Sequence, residues 1–167
     1  MLPSLSTIEF REAGVEDVPA IAQVKSDTLR ECGLAGPEFY DLERLRNRWD
    51  GYMRGLHHPR EALKPRIAFA AFAGERMAGY IAGHFSRRYG TEGELESVYV
   101  RKEHQRLGIG TSLLELLANW FSAEGRRSVC VGIDPANPYR KFYEKHGARY
   151  LNRHWLVWDD IGILLRR

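Results

Sequence analysis

A chain of 167 residues has room for one hydrophobic core and little for a second. Its 44% hydrophobic and 28% charged content is that of a folded domain in water, not of a disordered tail, and no apolar run approaches the roughly 18 residues of a membrane span. A net charge of +3, with the longest basic clusters, such as Arg87-Arg88, Arg126-Arg127 and Arg166-Arg167, no more than dipeptides, argues against the dense basic face of a dedicated nucleic-acid binder. The first residues, MLPSLSTIEFREAG, lack the basic and apolar regions of a secretory signal. Two isolated cysteines, Cys32 and Cys130, make no disulfide framework, and Cys130 in its apolar run reads as a small core residue. These features predict a single cytoplasmic domain over residues 1–167, with no membrane or nucleic-acid partner.

In chain order, alternation over 6–12 predicts a first strand. Asp17 and Pro19 mark the start of a helix carrying Val18, Ile21, Ala22 and Val24 on one side and running to about Arg30. Gly33, Gly36 and Pro37 form a loop, a more polar helix covers about 38–54, and Gly55, Pro59 and Pro65 close the region. Two strands, 67–73 and 78–85, flank the turn Gly74-Glu75-Arg76, and 95–100 is another strand. After a glycine turn, Leu113, Leu116, Leu117, Trp120 and Phe121 repeat at helical spacing. A strand over 128–133, a short helix over 138–145 and a final strand over 150–158 complete the chain. The pattern predicts an α+β fold in which the strands before and after the glycine-turn helix run parallel.

Gln105-Arg106-Leu107-Gly108-Ile109-Gly110 lies between a strand and a helix. Glycines there let the backbone approach a ligand, and the free N–H groups of the first helical turn attract an anion such as a pyrophosphate. A dinucleotide fingerprint is excluded because Leu113 stands at its third glycine, and no Gly-Lys-Ser/Thr of a P-loop occurs.

The segment resembles the GNAT (GCN5-related N-acetyltransferase) superfamily. Its Gln/Arg-x-x-Gly-x-Gly/Ala signature is matched by Gln105, Gly108 and Gly110, and its second motif, Asn-x-x-x-x-Phe-Tyr-x-x-x-Gly, by Asn137, Phe142, Tyr143 and Gly147. The resemblance implies a mixed, mostly antiparallel sheet of about six to seven strands, with helices on both faces and a splayed parallel pair. It implies acetyl-CoA as co-substrate and a small-molecule or peptide amine as acceptor. The turn from Gln105 through Arg106, Leu107, Gly108, Ile109 and Gly110 to Thr111 would hold the pyrophosphate, while Val98, Tyr99 and Val100 would pair with the pantetheine arm where the strands of Val98 and Val131 part. Asn137 would bond that arm, and Arg140 would reach the nucleotide phosphates, although many members carry a small residue at its position. The acceptor pocket would be built from about residues 30–52.

The chemistry needs a base, because an alkyl ammonium with a pKa near 10.4 is neutral in only about one molecule in 2,500 at pH 7. Glu94 and Glu96 lie two apart on one strand and so share a face. The resemblance makes either the base, directly or through water, and we favour Glu96 over Glu94. Tyr143 matches the acid that protonates the departing thiolate, and the Val98 N–H is placed to meet the oxyanion. No metal is inferred, since the histidines, including His57-His58, show no ligand spacing with the cysteines. A non-catalytic acyl-CoA-binding module is the competing reading, and a homodimer is compatible with either.

Overall fold

The computed structural model describes residues 4–33, 39–56, 62–135, 137 and 139–166. Expectations for Gly36-Pro37, His57-His58-Pro59 and Pro138 lie outside the described residues. Seven strands form one sheet: β1 (Ile8–Glu12), β2 (Leu63–Ala73), β3 (Arg76–Phe85), β4 (Gly93–Val100), β5 (Val129–Gly132), β6 (Arg149–Asn152) and β7 (Trp155–Trp158). Their spatial order is β1-β2-β3-β4-β5-β7-β6, and every pairing is antiparallel except β4 with β5.

Helices α1 (Val18–Cys32) and α2 (Leu42–Met53) cover one face, and α3 (Ile109–Ala123) covers the other. Asp17 caps the turn leading into α1, accepting from the Gly14 N–H at 2.8 Å while Arg11 holds both its oxygens. Gly33, at φ 62°, ends α1 in the left-handed conformation that a Cβ disfavours. The second helix starts at 42 rather than 38, where the Asp41 side chain accepts from the Arg44 N–H. Among the described residues no helix is long and apolar enough to cross a membrane.

Two further expectations are corrected. The last strand is a hairpin of β6 and β7, because the Asn152 side chain accepts from the His154 N–H at 3.0 Å and turns the chain without glycine or proline. The buried stripe of α3 is Leu113, Leu114, Leu117, Ala118 and Phe121, rotated from the predicted one; Leu116 and Trp120 are half-buried. Trp120 instead packs its ring on Phe85, 5.6 Å away.

Candidate functional site

Strand β4 carries an irregularity that shapes the site. Ala82 on β3 pairs with Ser97, but Gly83 pairs with Leu95, so Glu96 is an extra residue in a β-bulge. Leu95 and Val98 therefore face α3, although they lie three positions apart, while Glu96 and the adjacent Ser97 both face the α1–α2 side. Pairing between β4 and β5 covers only Gly93 to Leu95, and the strands then part. The Arg101 N–H donates to the Ala78 carbonyl on β3, so alternation turns the peptide groups of Val98 and Val100 into the gap. An extended chain can add to that edge.

A cleft of about 480 Å³ opens there, lined by Val98, Val100, His104 to Arg106, Gly108 to Thr111, Tyr139, Phe142 and Lys145. Arg106 (φ 65°) and Gly108 (φ 90°) are both left-handed, which brings the turn round to the start of α3. The first intrahelical bond runs from the Ser112 N–H to the Gly108 carbonyl, leaving the N–H groups of Ile109, Gly110 and Thr111 ahead of the helical ladder. A Cβ at Gly110 would lie 3.4 Å from the Phe142 ring, which floors the cleft. The Gln105 amide donates to the Val100 carbonyl (3.0 Å) and the Tyr139 hydroxyl (3.2 Å), so it ties the turn to both walls. Leu107 packs on the α3-side core, and the Thr111 hydroxyl lies 3.1 Å from His146 Nε2.

A smaller cleft of about 80 Å³ shares Val98 and Tyr139 with the first and adds Lys25, Glu96, Ser97, Tyr99, Val131, Gly132, Asn137 and Tyr143. Glu96 and Tyr143, distant in sequence, thus line one space. Desolvation pushes Glu96 up to about 7, partly opposed by Arg48, 3.4 Å away, and by Lys25. Lys25 is drawn down to about 8 by burial and by Arg48. Burial raises the Tyr143 hydroxyl well above the usual phenol range, so it keeps its proton at neutral pH. Asn137 fixes the approach to α4 (Arg140–Lys145), its side-chain oxygen accepting from the Tyr139 N–H at 2.8 Å.

Glu94 and Arg140 stand apart from these walls. Glu94 is buried, and Arg88 Nε donates to it at 2.7 Å. Arg140 donates to Glu144 at 3.0 Å and lies over the Tyr150 ring; Lys145 lines the cleft instead. Lys25, His104 and Lys145 are cleft residues that carried no sequence signal, since a helical lysine or a loop histidine is ordinarily a solvated surface group. Ligand atoms of His84, Glu94 and Glu96 lie within 4.8 Å of one another, but guanidinium groups already engage both carboxylates. Burial draws His84 down to about 3, so it is neutral, with Nδ1 2.9 Å from the Tyr52 hydroxyl.

The profile of the Acetyltransferase (GNAT) family matches residues 35–148, more than half of the chain. The chain belongs to the GNAT acetyltransferase family. A Bacillus subtilis relative, the uncharacterized N-acetyltransferase YuaI, is 27% identical over 83% of this chain and 79% of its own. The phosphinothricin N-acetyltransferase of Streptomyces viridochromogenes is 27% identical over 99% of this chain and 91% of its own. Among solved structures, the PaiA N-acetyltransferase of Thermoplasma acidophilum in complex with coenzyme A superposes with a TM-score of 0.69 at 19% identity, covering 92% of this chain and 98% of that one. The fold is common to both.

Proposed function

We propose that this GNAT protein transfers the acetyl group of acetyl-CoA to a primary amine by direct attack, with Glu96 as base and Tyr143 as acid. The observation that carries the reading is that Glu96 and Tyr143 line one small cleft, which meets the larger cleft at Val98 and Tyr139. The larger cleft fits coenzyme A: free N–H groups at the start of α3 suit the pyrophosphate, and the exposed edge of Val98 and Val100 suits the amide-bearing pantetheine arm. The coenzyme A complex of the Thermoplasma neighbour supports this use of the fold.

Acetyl-CoA supplies an activated thioester carbonyl. A carboxylate with a pKa of about 7 is balanced between holding and releasing a proton at neutral pH, which suits Glu96 to taking one from the acceptor ammonium. Val98 offers an N–H to the carbonyl oxygen as negative charge develops there. Tyr143, protonated throughout the neutral range, donates to the departing sulfur. Engagement of Glu94 by Arg88 supports Glu96 as the base of the pair.

The test is continuous detection of free thiol from acetyl-CoA against polyamines, aminoglycosides, amino acids and peptides. Amine-dependent release with a matching acetylated product is expected. Saturable coenzyme A binding with no turnover on any acceptor would refute the reading.

A further inference from the structure

The Glu96 end of the cleft holds an imbalance of charge. Glu94 is engaged by Arg88 at 2.7 Å, which leaves Glu96 facing two cations from different helices. Arg48 of α2 approaches it at 3.4 Å, a long pairing, with a side chain that is 41% exposed. Lys25 of α1 lines the same cleft, beside the Trp49 ring at 5.8 Å. Among the described residues, no carboxylate lies within ion-pair distance of its ammonium. With Glu96 ionised, Lys25, Arg48 and Glu96 sum to one positive charge beside the cleft of about 80 Å³ that Lys25 and Glu96 line. A simple alkylammonium entering there meets net repulsion, and a polyamine meets more.

We propose that Lys25 and Arg48 form an anion-binding subsite, so that the acceptor is a small amine bearing its own carboxylate, in the simplest case an α-amino acid. This rests on the reading of the cleft as the acetyl-transfer site. The amine then faces Glu96, and the carboxylate on the same carbon faces the cations beside it. Adjacent acid and base on the protein match adjacent base and acid on the ligand, and each charge at the cleft gains a partner. Burial and Arg48 draw the Lys25 ammonium down and Glu96 only partly offsets them, so a second anion beside it would favour its charged form. Selectivity follows from the same arrangement, because an acceptor without the carboxylate leaves Arg48 and the half-buried Lys25 sharing the single anion of Glu96.

The experiment compares L-leucine, L-phenylalanine and L-glutamate with the amines made by removing their α-carboxylates, reading thiol release in wild type and Lys25→Met. In wild type the amino acids should exceed their amines in kcat/KM by about tenfold or more, and Lys25→Met should erase most of that ratio. Calorimetric binding of L-leucine to the coenzyme A complex should weaken by about tenfold in the same variant. Lys25→Gln replaces it if the methionine variant does not fold. Amines matching or beating the amino acids, or a ratio unmoved by losing the charge, would overturn the subsite and leave acetyl transfer standing. If no acceptor releases thiol, acetyl transfer itself fails, and the calorimetric arm still decides whether the anion site exists.

Discussion

Replacing Glu96 by glutamine, with kcat/KM followed from pH 5 to 9, tests the assigned base most directly. Burial holds this carboxyl at about 7. The base works only when ionised, so wild-type kcat/KM should fall as pH drops through about 7, reaching roughly a tenth of its plateau at pH 6. An unperturbed glutamate would still be almost wholly ionised there. The substitution keeps the shape of the side chain and removes proton acceptance. It should lower the plateau by about 10²- to 10⁴-fold and abolish the limb near 7. What remains should rise with pH as the acceptor supplies its own neutral amine, with no inflection until the acceptor's own pKa. Coenzyme A affinity should stay within about twofold, because the larger cleft does not include Glu96. The profile is measured by thiol release at saturating acetyl-CoA, with the fold checked by circular dichroism. A wild-type plateau extending to pH 5.5, or near wild-type turnover in the glutamine variant, would refute the assignment.

Tyr143→Phe keeps the ring that packs edge-on against Trp158, so Tm should hardly move, while kcat falls by about 10²-fold at constant coenzyme A affinity; unchanged kcat would remove Tyr143 from the chemistry. Gly108→Ala puts a Cβ on a residue at φ 90° and should cost about 1 to 2 kcal/mol in denaturant unfolding, whereas Gly108→Asp should also abolish coenzyme A binding by calorimetry, since it sets a negative charge at the pyrophosphate turn; retained binding would locate the cofactor elsewhere. Gly93→Ala drives a Cβ into the fully buried Phe121 ring and should cost about 1 to 3 kcal/mol, a fall in Tm of several degrees by calorimetry, which an unchanged Tm would contradict.

Local signals were the legible ones. Asp17 with Pro19 announces α1, and the glycines at 108 and 110 announce the turn before α3, because caps and left-handed turns are set by a few neighbouring residues. The hairpin of β6 and β7 was hidden because Asn152 turns the chain through its side chain, within a stretch that looks like uninterrupted strand. The buried face of α3 differs from the expected one for another reason. Leucines and aromatics surround much of that helix, and only contact with the sheet decides that Leu114 and Ala118 go inside while Trp120 leans towards Phe85. Lys25 could not be found at all. On α1 it reads as one more solvated lysine until α2 and β4 bring Arg48 and Glu96 against it.

The two glutamates show how tertiary structure divides what sequence leaves equal. Glu94 and Glu96 are the same residue type on the same strand, and both face the α1–α2 side. Glu94 lies where β4 still pairs with β5, so the sheet encloses it, and Arg88 from the β3–β4 connection engages its carboxylate. Glu96 sits in the bulge one residue past the last β4–β5 pair, where the strands have begun to part and the cleft begins. The widened gap makes room for an acceptor, and the same bulge delivers a carboxylate to its wall. Restoring regular pairing by deleting one residue at this point would reverse the facing of β4 on one side of the deletion. Position in the bulge, which Glu94 lacks, is therefore what distinguishes Glu96 for the proposed role of base.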